Sequence, residues 1–148
     1  MSGDRPDENF ALSTLAYLPY SKQKMKIISS KAHGILDYAV VVFLLAAPTL
    51  FQMEGTLCTF TYVLAGVHFA LTALTVFEVG LLKIIPFKVH GLIELVVSIA
   101  LAGVALWFRN NDNDLGFYFY LGLAIVILIV YLLTDFTSSA RNENRVNS

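Results

Sequence analysis

Apolar residues gather into four long runs, at about 34–51, 57–77, 89–108 and 115–133, with short polar breaks between them. The breaks are Gln52-Met53-Glu54-Gly55, the stretch from Glu78 to Lys88, and Arg109-Asn110-Asn111-Asp112-Asn113-Asp114, all marked by charge or turn-forming residues. Each run approaches the length of about 20 residues that a bilayer-spanning helix needs. None alternates apolar with polar residues as a barrel strand would, and in lipid a helix satisfies its own backbone groups. The pattern predicts four transmembrane helices. Asp37, Glu94 and His68 are the only ionisable side chains well inside the runs.

The second half of the chain repeats the first. Lys26-Ile27-Ile28-Ser29-Ser30-Lys31-Ala32-His33-Gly34 returns 57 positions later as Lys83-Ile84-Ile85-Pro86-Phe87-Lys88-Val89-His90-Gly91, and Asp37 is matched by Glu94. Without a gap, the same offset relates Leu44 to Leu101, Phe51 to Phe108, Phe60 to Phe117, and Glu78 to Asp135. A unit of this length that recurs is one supersecondary element, here a helical hairpin. The expected fold is an all-α membrane protein whose four transmembrane helices form two tandem two-helix repeats, 26–82 and 83–139. An even number of spans separates the copies, so a pseudo-two-fold axis along the membrane normal relates them. Polar tails at 1–25 and 140–148 flank the repeats.

Composition agrees with a lipid environment: 57% hydrophobic residues, 14% charged, and a mean hydropathy of +0.68. Basic residues crowd one side of the predicted membrane, with Lys22, Lys24, Lys26 and Lys31 before the first span, Lys83 and Lys88 before the third, and Arg141 and Arg145 after the fourth. Arg109 alone opposes them, so both termini are expected in the cytoplasm, in a multi-pass protein of the inner membrane. The net charge of −1 and the lack of a dense basic stretch argue against nucleic acid. The expected partners are the bilayer itself and, within it, a second copy or another membrane protein. Residues 1–25 are expected on the membrane surface or disordered, and Met25, just before the first repeat, is an alternative start. They do not resemble a secretory signal, because the basic residues follow the apolar stretch. Cys58, the lone cysteine, is expected to pack near the outer end of the second helix.

The candidate chemistry lies in four residues. His33 and Asp37, like His90 and Glu94, are four apart, which puts each imidazole one turn from a carboxylate on the same helix face. One reading has each histidine bonded to its own acid, locking the packing; the other makes the set a proton relay or cation site between the repeats. The E-x-x-H pattern of di-metal bundles is absent, so no metal is assigned, and no cofactor either. Glu78 and Asp135 end the second and fourth helices while Lys31 and Lys88 begin the first and third, each on the unfavourable side of its helix dipole. One ion pair per repeat, Lys31 with Glu78 and Lys88 with Asp135, would relieve the mismatch. His68 has no histidine counterpart. It is expected near the midplane, several turns from His33 and His90, bonded to Tyr62, Thr72 or a carbonyl. The aromatics from Trp107 and Phe108 to Tyr120 read as an interfacial belt. No phosphate loop, nucleophile elbow or H-E-x-x-H motif occurs, and no catalytic residue is assigned.

Lys31, His33, Gly34, Asp37 and Tyr38, then Ala47-Pro48, Glu78, Gly80, Ile85-Pro86, His90 and Gly91, follow an order that resembles the bacterial SPW-repeat membrane proteins. The likeness covers about 26–136. It departs where the family's Ser-Pro-Trp triplet reads Ala47-Pro48-Thr49, and Val104-Ala105-Leu106 before Trp107. The resemblance implies a small membrane protein of two-helix repeats and carries no activity to particular residues. The expected function is therefore a non-enzymatic structural or accessory membrane protein, with a small proton- or cation-coupled transporter as the alternative.

Overall fold

The computed structural model describes residues 27–136. Apart from two two-residue strands its regular structure is helical, and four helices are long and apolar enough to cross a membrane: α1 Ser30–Leu50, α2 Gly55–Leu74, α3 Phe87–Asn110 and α4 Asp114–Leu133. The chain is a multi-pass, all-α membrane protein. The expected tails at 1–25 and 140–148, with Met25, lie outside the described residues.

Helix ends follow local chemistry more closely than the apolar runs do. α1 begins at Ser30, four residues before its run, because the Ser29 hydroxyl accepts from the Ala32 N–H and caps it. Asn113 caps α4 in the same way, accepting from the Gly116 N–H at 2.7 Å. α3 starts directly after Pro86, whose φ of −56° already suits a helix. α2 stops at Leu74, three residues before its run ends. There β1, Thr75–Val76, leaves the helix to pair in parallel with β2, Ile85–Pro86. The connecting loop folds back so that Leu81 and Leu82 donate to the Ala73 carbonyl and Ile84 to that of Leu74. The last turn of α2 thereby keeps its acceptors satisfied.

The other two helix ends meet in the same manner. Ile28 bridges Thr134 in parallel, Ile27 and Ile28 donate to Leu133, and Asp135 donates back to Ile28. Thus the start of α3 adjoins the end of α2, and the start of α1 adjoins the end of α4. All four ends lie at one level, the histidine end of the bundle. At the far end, α1 turns into α2 and α3 into α4.

The 57-residue spacing relates the starts of α1 and α3, at Ser30 and Phe87, but α2 and α4 begin at Gly55 and Asp114, 59 apart. α3 has 24 residues against 21 in α1, and the difference moves the second turn. Burial follows the longer spacing: Ala65 and Ala124 are buried, as are His68 and Ile127, whereas Ile125 is half exposed. An ungapped offset therefore misaligns the second helix of each half.

Facing residues are spaced three and four apart. α1 buries His33, Gly34, Asp37, Val41 and Leu44; α3 buries His90, Gly91, Glu94, Ser98, Leu101 and Ala105. The outward positions, such as Val42, Leu45, Val96 and Ile99, are exposed and apolar, as a lipid-facing surface requires. Polar side chains are inside at the histidine end. The far end is packed with Leu44, Ala47, Leu57, Leu101, Ala105, Phe108 and Tyr120, and Cys58 rests against that core.

Candidate functional site

The inward faces of α1 and α3 bring His33, Asp37, His90 and Glu94 into one buried cluster. The two imidazoles meet at Nε2, 3.3 Å apart. His33 Nε2 stands 3.4 Å from Asp37 Oδ2 and 3.2 Å from Glu94 Oε2. His90 Nε2 stands 3.2 Å from Asp37 Oδ2 and 3.5 Å from Glu94 Oε1. Each histidine is closer to the acid of the other half than to its own, so the two expected local pairs are one four-residue constellation. One ligand atom from each of the four falls within 4.8 Å of all the others. Both histidines are fully buried and both acids 3% exposed.

Two threonines fix the rings. Thr134 Oγ1 donates to the Val130 carbonyl at 2.6 Å and lies 2.9 Å from His33 Nδ1; Thr75 Oγ1 donates to the Leu71 carbonyl at 2.6 Å and lies 2.8 Å from His90 Nδ1. A hydroxyl has one proton, and here a carbonyl takes it. The threonine oxygen must then accept, so Nδ1 carries the hydrogen in both imidazoles. That leaves both Nε2 atoms aimed into the cluster, where Asp37 Oδ2 and Glu94 Oε2 are buried without a hydrogen-bond partner among the described residues. The threonines were not among the predicted site residues. Their signal is Leu74-Thr75-Val76-Phe77 repeated as Leu133-Thr134-Asp135-Phe136, spaced 59 apart and so hidden by the 57-residue alignment.

Phenylalanines close the cluster at the helix ends. Phe87 contacts both rings, with centroids 5.3 Å from His33 and 6.2 Å from His90, Phe136 lies against His33, and Phe77 against His90. Phe77 and Phe136 also pack on Phe87, which joins the three into a cap. The glycine after each histidine makes room for it. A Cβ on Gly34 would strike the Phe77 ring, and one on Gly91 the Phe136 ring.

Several expectations change. Among the described residues the ion pairs are the four histidine contacts and Arg109 with Asp114; neither Lys31 with Glu78 nor Lys88 with Asp135 forms one. The lysines sit one position from the buried Ser30 and Phe87, about 100° around the helix, and project outward. Glu78 instead accepts from Ser30 Oγ at 2.9 Å. His68 is not several turns away from the cluster in depth. It is six residues before the end of α2, level with Asp37, seven residues after the start of α1. Neither Tyr62 nor Thr72 binds its ring: Thr72 Oγ1 donates to the His68 carbonyl, and His68 Nε2 has no partner among the described residues. Trp107 and Tyr118 are exposed as a belt requires, but Phe108 and Tyr120 are core residues, stacked at 5.5 Å.

Comparison with protein-family models, curated proteins and solved structures finds no match to this chain.

Proposed function

We propose that the chain is a non-enzymatic structural or accessory protein of the inner membrane, in which a buried polar cluster clamps two tandem hairpins together. The carrying observation is that the four cluster residues come from both halves and are sealed under three phenylalanines. Polar groups in lipid are costly unless they are paired, and these four face one another across the hairpins. A pseudo-two-fold axis along the membrane normal is supported by matched environments: His33 on Thr134 and His90 on Thr75, Gly34 beneath Phe77 and Gly91 beneath Phe136. The same proposal includes kinship with the SPW-repeat membrane proteins, cytoplasmic termini, and a second copy or another membrane protein as partner across the lipid-facing sides.

A cation- or proton-coupled transporter is the second reading, favoured by the unpartnered His68 Nε2 beside the cluster. Proton and cation flux through liposomes containing the full chain separates the two. Wild type and Asp37→Asn plus Glu94→Gln are expected to show equal, background flux, with the double variant less stable. Flux in the wild type that the double change abolishes refutes the structural reading.

A further inference from the structure

We propose that His33 Nε2, His90 Nε2, Asp37 Oδ2 and one Glu94 carboxylate oxygen are the four ligands of a single divalent transition-metal ion of the zinc class. The inference rests on the clamp just described and names what occupies it.

Proton counting comes first. With both Nδ1 atoms holding their hydrogens on threonines, neutral imidazoles present two lone pairs at 3.3 Å, faced by two carboxylates. Four electron-pair donors then converge, carrying two negative charges. Two protons, on the rings or on the carboxyls, would balance the charge but would have to bridge contacts of 3.2 Å or more, with the two Nε2 atoms only 3.3 Å apart. A single proton would leave one net negative charge in a buried site. One divalent cation satisfies all four donors and balances the charge, in a place where an uncompensated charge is expensive.

Distances point the same way. Charge-assisted N–H···O bonds run at about 2.7–2.9 Å, shorter than the four imidazole–carboxylate separations of 3.2, 3.2, 3.4 and 3.5 Å. Ligands about 2.0–2.1 Å from a zinc ion at the corners of a tetrahedron lie about 3.4 Å from one another. The imidazole separation of 3.3 Å fits that edge as well. His33 Nε2, His90 Nε2 and Asp37 Oδ2 are spaced as neighbours around a common centre, while Glu94 meets the two histidines through different oxygens, one of which completes a set of four ligand atoms within 4.8 Å of one another. The threonines complete the pattern, since a metal-bound histidine ordinarily gives its other N–H to an oxygen that fixes its tautomer. Two nitrogen donors argue against calcium or magnesium, which take oxygen ligands. Four protein ligands beneath an apolar cap leave no open position for substrate, which is the arrangement of a structural site rather than a catalytic one.

The test is metal analysis of the full chain purified in detergent, followed by titration with Zn²⁺ and, separately, with Co²⁺ as a spectroscopic probe. One ion per chain and the intense visible bands of tetrahedral cobalt are expected. His33→Ala plus His90→Ala should abolish both. Thr75→Val plus Thr134→Val keeps all four ligands and should lower affinity by about 10- to 100-fold. This second variant keeps the test readable if the histidine variant does not fold. Wild type that binds no metal, a weak six-coordinate cobalt spectrum, or threonine variants that bind as tightly as wild type would each overturn the proposal. Failure here is distinct from failure of the clamp. If no metal binds, yet Asp37→Asn plus Glu94→Gln still destabilises the bundle without changing flux, the metal assignment falls and the structural reading stands.

Discussion

The two ends of this bundle are held by different physics. At the histidine end, directional polar contacts cross between the hairpins: imidazole to imidazole, imidazole to the other half's acid, and imidazole to the other half's threonine. At the far end, Ala47 and Ala105 are fully buried among larger side chains, Phe108 stacks on Tyr120, and Thr61 meets Tyr120 across the halves at 2.8 Å. Lipid tails are as apolar as leucine, so the far end gains little from exclusion of water and depends on close packing. Specificity is therefore concentrated at one end. Substitutions of similar size should have unequal effects according to which end they touch.

The largest effect is expected from removing one cluster member. His90→Ala leaves two buried acids facing one imidazole, and breaking a buried charged constellation in this way costs about 3–5 kcal/mol. Unfolding of the full chain in detergent measures it; a loss no greater than that of an average far-end substitution would remove the distinction between the ends. Next come Gly34→Ala and Gly91→Ala, whose new methyl groups collide with Phe77 and Phe136. Overpacking of this kind costs about 1–3 kcal/mol, read in the same assay, with Phe77→Leu expected to restore part of the Gly34→Ala loss.

Much of this was legible in the sequence because helix periodicity is local. Four spans, and the placing of His33, Asp37, His90 and Glu94 on inward faces, follow from three-and-four spacing alone. That the two pairs could form one cluster between the repeats was legible; that each histidine lies nearer the other half's acid was not, since it depends on how close α1 and α3 approach. Thr75 and Thr134 were missed for a different reason: they lie just beyond helix ends that apolar runs do not define, and the two extra residues before α4 break the simple offset. The lysine and acid pairs do not form among the described residues. Lys31 and Lys88 are exposed, and charge with position along the chain does not set which way a side chain points.

At the far end the expected effects are smaller. Tyr120→Phe removes the hydroxyl that meets Thr61, yet Thr61 Oγ1 keeps its bond to the Leu57 carbonyl at 2.9 Å. No buried donor is orphaned, so the cost should be about 1 kcal/mol. A double-mutant cycle with Thr61→Val isolates the pair, and a coupling as large as the His90→Ala effect would mean that both ends are held alike.

The smallest effect should carry the opposite sign. Gly103 and Gly122 lie on exposed faces of α3 and α4, and a Cβ on either meets nothing within 4 Å. Alanine there removes the backbone freedom that glycine gives the unfolded chain without displacing a neighbour, so Gly103→Ala and Gly122→Ala should each stabilise by roughly 0.5 kcal/mol. The exchange is chemically the same as Gly34→Ala, and only the surroundings differ: a phenylalanine cap over one glycine, lipid beside the others. Matched unfolding curves for Gly34→Ala and Gly103→Ala give the sign directly. If Gly103→Ala loses as much as Gly34→Ala, that face of α3 is covered by protein rather than lipid, and the far half of the bundle has a partner in the membrane.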